Sequence, residues 1–284
     1  MKTIKSNFKK LSCHPRKTKK SYTCYTDPVL LELRNLWNKK HPEKPIIDTS
    51  TKKIWKALRE RMKECDQEVC WMETLEKENI QRVKKDYFAP VPPKEWKHND
   101  REWLSNEDID KVLEQYQNVY REFAFIHASP MDFDTKVKDR CVSEALCKIN
   151  LEQYRKNGKT KIGIVLNLDN HDDNGSHWVC IWVDLKKQII FYFDSAGNPP
   201  TREVDVLADR LKKQGKAMGI HFKYQDNRNK VHQRSNSECG MYVLYFIIHL
   251  LEKKKKPTTF NRTRIEDEEV AKYRDVYFNR VIAK

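Results

Sequence analysis

One strongly apolar segment near the C-terminal end of a highly charged chain limits the folds open to it. Met241–Leu251 reads MYVLYFIIHLL, whereas Asp, Glu, Lys and Arg make up 34% of the 284 residues. The segment is too short for a transmembrane helix, which needs about 20 apolar residues. A helix that is apolar on every side must be buried in protein. The sequence therefore predicts a globular core around a central helix that starts at Cys239 and ends near Leu251.

Charge is distributed unevenly. Residues 1–95 hold 23 Lys and Arg against 13 Asp and Glu, which accounts for +10 of the net charge of +15. The first 22 residues carry eight basic side chains and no acidic one. Such an arm attracts nucleic acid, an acidic membrane surface or an acidic protein; alternatively it is a solvated, partly disordered tail. It has no apolar stretch typical of a signal peptide, so we expect an intracellular protein with no membrane span.

Helical periodicity and a proline-rich stretch divide the chain into two predicted domains. Helices are predicted over Asp27–Trp37, Thr51–Met62 and Val69–Val83. The stretch FAPVPP at Phe88–Pro93 cannot continue a helix. We therefore predict a basic tail and helical arm domain over residues 1–93 and a second domain over residues 94–284.

The second domain alternates between strand-like and helix-like segments, which indicates a mixed helix-and-sheet class. Asn106 is the predicted cap of a helix that runs to about Tyr120. Segments 178–184 and 188–193 flank a short polar turn, which predicts a β-hairpin. Further strands are predicted over 161–168 and 220–224, and a further helix over 201–213.

The eight cysteines are spaced irregularly. In an intracellular chain we expect mostly reduced thiols, with Cys141, Cys147 and Cys180 in the core. A zinc site could be drawn from Cys13, His14, Cys24, Cys65 and Cys70. No Cys-x2-Cys pair occurs among them, so we predict no metal.

Four residues between positions 177 and 239 form a candidate site for nucleophilic catalysis. Cys239 opens the apolar helix, whose N-terminus stabilises a thiolate. His177 precedes one strand of the hairpin and Asp194 follows the other, which sets an imidazole beside an orienting carboxylate. Gln233 lies in the polar loop HQRSNSE, where its amide can donate a hydrogen bond to an oxyanion.

Other interpretations of these residues stay open. Cys239 could be a buried core cysteine, and His171 could replace His177 as the base. Asp194 could cap the turn that follows it, which is compatible with an orienting role. Trp103 lies just before the helix predicted to begin at Asn106 and could simply be part of the core.

The motifs His177-Trp178, Phe193-Asp194-Ser195 and Gln233-x5-Cys239-Gly240 resemble those of the SUMO-type (ubiquitin-like-protein-specific) cysteine proteases and the adenovirus proteinase. The stretches YFDSAGNPP, HQRSNSECG and RIEDEEVAKYRDVYF are most similar to the polyprotein-processing proteases of African swine fever virus and other large DNA viruses, which carry an N-terminal arm domain. Asp194 matches the SUMO-type enzymes, whereas the asfarvirus type has Asn there. The start WLSNEDIDKVLEQY also resembles the family, with Ser105 in place of its usual Asn.

The resemblance implies an α+β fold of the papain-like, adenain type, with a central mixed sheet flanked by helices. It implies a thiol endopeptidase with Cys239, His177, Asp194 and Gln233 in the catalytic site and no metal or cofactor. Trp103 and Trp178 match two tryptophans that cover a narrow tunnel passable only by glycines, which lack a Cβ.

The resemblance also implies cleavage at Gly-Gly-X sites in viral core or capsid polyproteins, within the host cytoplasm (the virus factory) and the virion core. The alternative is a protease that removes SUMO or ubiquitin-like modifiers. An acyltransferase or an inactive scaffold is the third possibility.

Overall fold

The computed structural model describes residues 11–15, 20, 22–75, 78 and 80–279. Most of the basic arm predicted over residues 1–22 lies outside these ranges. Two compact units are distinguished: the described residues up to Val91 together with those from Asp275 onward, and residues Pro92–Arg274. Within the described ranges, no helix combines the length and apolarity that crossing a membrane requires.

The first unit is helical. Its helices are α1 (Asp27–Lys40), α2 (Thr51–Arg61), α3 (Glu68–Thr74) and α4 (Ile80–Tyr87). The single helix predicted over Val69–Val83 is wrong, because the chain leaves the helical path after Thr74. The two helices also differ in burial: α3 and Leu75 contribute fully buried side chains, whereas Ile80, Val83 and Tyr87 of α4 pack against the core only partly buried.

Residues from the C-terminal end complete this unit. Asn279 is 4% exposed. Its Oδ1 accepts a hydrogen bond from Ser12 N at 2.6 Å, and its Nδ2 donates to Ser12 O at 2.8 Å and to Ala89 O at 3.1 Å. Its backbone N donates to Pro90 O at 2.7 Å. One asparagine thus holds two segments that lie far from it in the sequence.

Six of the eight cysteines form disulfides, so the prediction of mostly reduced thiols is wrong. The pairs are Cys13–Cys24, Cys65–Cys70 and Cys141–Cys147. The Cα atoms of the three pairs lie between 5.1 and 6.3 Å apart, which permits bonding. An intracellular compartment alone does not predict whether cysteines lie this close together. Cys180 and Cys239 are free.

The second unit contains a five-stranded mixed sheet, which confirms the predicted fold class. Its strand order is β1-β4-β5-β6-β7; the outer pairs β1–β4 and β6–β7 are parallel and the inner pairs antiparallel. Strands β2 and β3 form a separate small hairpin. The strands are β1 (Phe123–Pro130), β2 (Lys136–Val137), β3 (Arg140–Cys141), β4 (Lys161–Asn167), β5 (Trp178–Asp184), β6 (Ile189–Phe193) and β7 (Lys223–Asp226).

Helices cover both faces of the sheet. The predicted central helix is α9, and every one of its residues is buried. Phe246 on α9 stacks on Phe193 of β6 with ring centroids 4.5 Å apart, while α8 packs on the opposite face. The helices are α5 (Asn106–Val119), α6 (Glu144–Cys147), α7 (Leu151–Lys156), α8 (Arg202–Ala217), α9 (Cys239–Leu251), α10 (Pro257–Arg262), α11 (Asp267–Ala271) and α12 (Arg274–Tyr277), with a 3-10 turn over Lys94–Lys97.

Two local predictions need correction. The cap of α5 is Ser105, not Asn106: Ser105 Oγ accepts from Asp108 N at 3.3 Å, and Asp108 Oδ2 accepts from Ser105 N at 3.0 Å. This reciprocal capping satisfies two backbone donors at once. The last strand begins at Lys223 rather than at Ile220, because only from Lys223 does the chain pair with β6.

Candidate active site

The β5–β6 hairpin places His177 beside Asp194. His177 immediately precedes β5 and Asp194 immediately follows β6. Asp194 Oδ1 lies 2.6 Å from His177 Nε2, and the Asp194 side chain is completely buried. The carboxylate orients the imidazole, and Nδ1 is the ring nitrogen left to face another group.

Asp194 is itself held by its surroundings. Its backbone N donates to Asn227 Oδ1 at 2.9 Å, and Asn227 Nδ2 donates to Asp194 O at 2.7 Å. Its carboxylate also accepts from Ala196 N at 2.8 Å and from Asn198 N at 3.2 Å. Asp194 therefore both orients His177 and caps the following turn. Asn227 carries no motif of its own, so its role could not be predicted from the sequence.

Cys239 is the first residue of α9, and its side chain is one of the groups that act on the His177 ring. Burial by itself lowers the pKa of His177, but the hydrogen bonds and negative charge of Asp194 and Cys239 outweigh burial and raise the pKa from 6.5 to about 9. At neutral pH the ring is thus an imidazolium, which stabilises a neighbouring thiolate. The arrangement can hold Cys239 ready as a nucleophile.

Gly240 allows the first turn of α9 to approach two residues of the predicted tunnel region. A Cβ at position 240 would lie 3.0 Å from Leu104 Cβ and 3.3 Å from Trp178 Cδ1. Trp178 Nε1 in turn donates to Leu104 O at 2.9 Å. Any side chain at position 240 would push these groups away from the neighbouring thiol.

The two predicted tryptophans line one cleft of about 570 Å³. Trp103 is 43% exposed and Trp178 is 8% exposed. The other lining side chains are mostly small or amide-bearing. They include Ser105, Asn106, Ser129, Asn167, Asn174 and Ser176. The cleft is therefore open to solvent on the Trp103 side.

His171, the alternative base, lies on the wall of this cleft. Its Nδ1 is 2.6 Å from Asp132 Oδ2, so this imidazole is committed to a separate ion pair. Of the two candidate histidines, His177 is the one whose pKa Cys239 raises, whereas the pKa of His171 is raised by Asp132 and neighbouring aspartates. The surroundings of the two rings therefore favour His177 as the base.

Gln233 is anchored to the residue that follows Asp194. Its Oε1 accepts from Ser195 Oγ at 2.7 Å, and its backbone N donates to Ser195 O at 2.9 Å. Its Nε2 donates to Ser235 O at 2.7 Å. An amide nitrogen carries two hydrogens, so a second N–H is available for an oxyanion.

The buried ring of His232, next to Gln233, should make the folded protein less stable in acid. The ring is fully buried, donates from Nε2 to Phe260 O at 2.9 Å, and accepts at Nδ1 from Ile265 N at 3.0 Å. Burial lowers its pKa from 6.5 to about 4. The unfolded chain therefore binds a proton that the folded chain excludes, so this stabilisation is complete above pH 6.5 and is lost as the pH falls towards 4.

We expect the contribution of His232 to the free energy of unfolding to decrease by about 2 kcal/mol between pH 6.5 and pH 4. Urea titrations at a series of pH values measure this decrease. His232→Gln should be less stable at pH 7 and should show a shallower decrease with acid. An equally steep decrease in this variant would contradict the assignment to His232.

A mixed sheet, a helix that begins at a thiol, and a histidine–carboxylate pair facing that thiol are the marks of a cysteine protease. Residues 159–283 match the Ulp1 protease family, C-terminal catalytic domain. A cysteine protease of African swine fever virus is 34% identical, over 68% of this chain and 71% of the viral protein. The chain belongs to the Ulp1 family of cysteine proteases.

One further relative and one crystal structure are similar to this protein over nearly the whole chain. The putative thiol protease R355 of Acanthamoeba polyphaga mimivirus is 27% identical over 94% of this chain and 92% of that protein. The crystal structure of the African swine fever virus pS273R protease, in selenomethionine form, superposes with a TM-score of 0.71 at 26% identity and covers 96% of each chain. Similarity therefore includes the helical unit as well as the protease fold.

Proposed function

We propose that this protein is an endopeptidase that cleaves at Gly-Gly-X sites, with Cys239 as nucleophile, His177 as general base and acid, and Asp194 as orienting carboxylate. The observation that carries the proposal is the close approach of Gly240 to Leu104 and Trp178, because a Cβ at position 240 would lie 3.0 Å from Leu104 and 3.3 Å from Trp178. This approach supports a path from the tryptophan-lined cleft to the neighbouring thiol. We propose residues 94–284 as the catalytic domain and residues 1–93 as the basic tail and arm; the described residues from Asp275 onward belong to the helical unit.

In the proposed reaction, the Cys239 thiolate attacks the carbonyl carbon of the scissile bond. The negative oxygen is stabilised by the backbone N–H of Cys239 and by the Gln233 amide. The His177 imidazolium gives its proton to the leaving amine, and a thioester remains. Neutral His177 then takes a proton from water while the water oxygen attacks the thioester carbonyl carbon. The C–S bond breaks, the carboxylic acid product leaves, and the Cys239 thiolate and His177 imidazolium are regenerated.

The proposed specificity for glycine is attributed to the cleft that Trp103 and Trp178 line. A glycine has no Cβ, so its backbone can approach aromatic side chains more closely than that of any other residue. An alanine in place of the second glycine should reduce kcat/KM about 10- to 100-fold, the scale of a single misplaced methyl group in a tight site. Comparison of peptides that differ only at this position measures the ratio.

Trp103→Ala should bring kcat/KM for the glycine and alanine peptides closer together, because loss of the indole widens the cleft. Trp103→Phe keeps an aromatic ring there and should retain most of the preference for glycine. Equal cleavage of both peptides by the wild type would refute the glycine requirement, and an unchanged ratio in Trp103→Ala would refute the role of Trp103.

We propose viral core or capsid polyproteins as substrates, processed in the host cytoplasm and the virion core. The similarity to proteins of two large DNA viruses supports this setting. The basic arm is proposed to bind nucleic acid or an acidic partner, since it carries eight basic side chains and no acidic one. Most of the arm lies outside the described residues.

Removal of SUMO or a ubiquitin-like modifier is the second candidate, because one relative from African swine fever virus is named a SUMO-1 cysteine protease. Folded SUMO and ubiquitin fusions should be tested beside Gly-Gly-X peptides. Cleavage of peptides but not of fusions supports a polyprotein protease. Preferential cleavage of fusions replaces it with a deconjugating enzyme.

A further inference from the structure

A buried ion pair stands directly before the proposed nucleophile. Arg274 Nη2 lies 3.0 Å and Arg274 Nε 3.2 Å from Glu238 Oε2. The two side chains are 3% and 2% exposed. Glu238 is the N-cap of α9 and is bonded covalently to Cys239. Charged residues are almost never this deeply buried unless they are paired, so the pair defines the conformation of the chain at the start of α9.

The same guanidinium also binds the segment that leads into the cleft. Arg274 Nη1 donates to Asp100 O at 3.1 Å and to Glu102 O at 3.2 Å, and Nη2 donates to Ser237 O at 3.4 Å. The guanidinium carbon lies 4.4 Å from the centroid of the Trp96 ring, which it covers. One planar, rigid donor group thus serves two stretches of backbone, a geometry that lysine cannot reproduce.

These two stretches are the ones that meet at the candidate active site. Ser237 and Glu238 lead into Cys239, while Glu102 leads into Trp103 and Leu104. The contact between the stretches is tight, since Leu104 Cβ is 3.0 Å from a Cβ built on Gly240. A small movement of either stretch would therefore change the position of the thiol relative to the cleft.

Charge gives Arg274 a second effect on this region. Glu238 is one residue from the thiol, and a carboxylate without its partner would oppose a thiolate there. Paired with Arg274, the carboxylate adds no net charge beside Cys239. Geometry and charge thus act through the same guanidinium.

We propose that Arg274 is a positioning residue for the cysteine protease reaction: it fixes the start of α9 and the Trp103–Leu104 segment in register with each other. Arg274 touches neither the substrate nor the reacting atoms in this proposal. The inference needs only a reactive Cys239 and is independent of the preference for Gly-Gly-X.

Arg274→Lys is the sharpest test, because it keeps a positive charge opposite Glu238 but cannot serve both stretches. We expect kcat/KM for a peptide substrate to fall about 100-fold, the scale of a displacement of about 1 Å at a reacting group. Alkylation of Cys239 by iodoacetamide, followed by mass spectrometry, should stay within about threefold of the wild-type rate, because the local charge is retained. Arg274→Met should lower both kcat/KM and the rate of Cys239 alkylation.

Arg274→Met combined with Glu238→Leu separates positioning from stability. Replacing both members of a buried ion pair by apolar residues leaves no uncompensated charge, so this double variant should unfold at a temperature near that of the wild type. Its kcat/KM should nevertheless stay about 100-fold low. Wild-type kcat/KM in the folded double variant, or in Arg274→Lys, would overturn the proposal.

Arg210→Lys is the matched control. Arg210 also pairs with a carboxylate, Asp134, and donates to a backbone carbonyl, Leu146 O at 3.0 Å, but it lies on α8. Its replacement should leave kcat/KM within twofold of the wild type, and an equal loss there would overturn the specific role of Arg274. If the wild type cleaves no Gly-Gly-X peptide, the proposed substrate fails. The inference is then tested by kcat/KM of Arg274→Lys and of the double variant on a SUMO or ubiquitin fusion that the wild type cleaves, where the same loss of about 100-fold is expected.

Discussion

Replacing Cys239 by alanine is expected to abolish peptide cleavage, with a loss of at least about 10⁴-fold in kcat. No other group at the site can form the thioester, because His177 and Asp194 only move or orient a proton in the proposed reaction. The fold should survive: one sulfur atom is lost from a side chain that begins a helix anchored along its whole length. The cost in stability should be about 1 kcal/mol.

The other free thiol supplies the control. Cys180 is also fully buried, and burial raises its pKa well above the ordinary value, so it is unreactive. Cys180→Ala should lose a similar amount of packing yet keep cleaving, and a thiol reagent should label position 239 alone in the wild type. Retained cleavage by Cys239→Ala at the wild-type rate would exclude the proposed nucleophile.

Asp194→Asn should reduce kcat/KM about 100-fold and move the alkaline limit of activity to lower pH. The active pair needs a protonated His177, whose pKa of about 9 depends on the hydrogen bond and charge of Asp194. An amide supplies no negative charge, so the pKa of His177 falls and the imidazolium is lost at lower pH. A profile of kcat/KM from pH 5 to 10 measures the shift.

The pKa of His177 has the opposite consequence for stability from that of His232. A folded-state pKa above the unfolded value stabilises the fold below pH 6.5, and this contribution is lost as the pH rises through about 9. Asp194→Asn should therefore remove part of the alkaline loss of stability as well. Two independent measurements then report on one hydrogen bond.

A second histidine–aspartate pair allows a matched comparison. Asp132 lies 2.6 Å from His171 on the cleft wall and raises the pKa of that ring. Asp132→Asn should leave the alkaline limit of activity in place. If both variants shift it equally, or if neither does, His177 is not the group that sets the limit.

The features that could be predicted from the sequence are those with a local pattern. The apolar run that begins at Cys239 predicts the central helix, and two apolar segments around a polar turn predict the hairpin that joins His177 to Asp194. Contacts between distant segments have no such pattern. Glu238 and Arg274 are 36 residues apart, and neither the ion pair nor the role of Asn227 leaves a periodic signal in the chain.

The disulfides also could not be predicted from a local sequence pattern. Cys141 and Cys147 are six residues apart, but their pairing depends on the turn between β3 and α6. That turn, like strand β1, was not predicted, because its residues are neither alternating nor helical in pattern. Spacing alone therefore could not distinguish bonded from free cysteines.

The position of Asn279 has a consequence for synthesis of the protein. Ser12, Ala89 and Pro90 are translated before the sheet and α9, whereas the asparagine that binds all three is translated after them. The sheet and α9 can therefore leave the ribosome while the helical unit still lacks these hydrogen bonds. The helical unit can thus complete these hydrogen bonds only after nearly the whole chain has been made, and a nascent chain stopped shortly before Asn279 would leave Ser12, Ala89 and Pro90 without that asparagine.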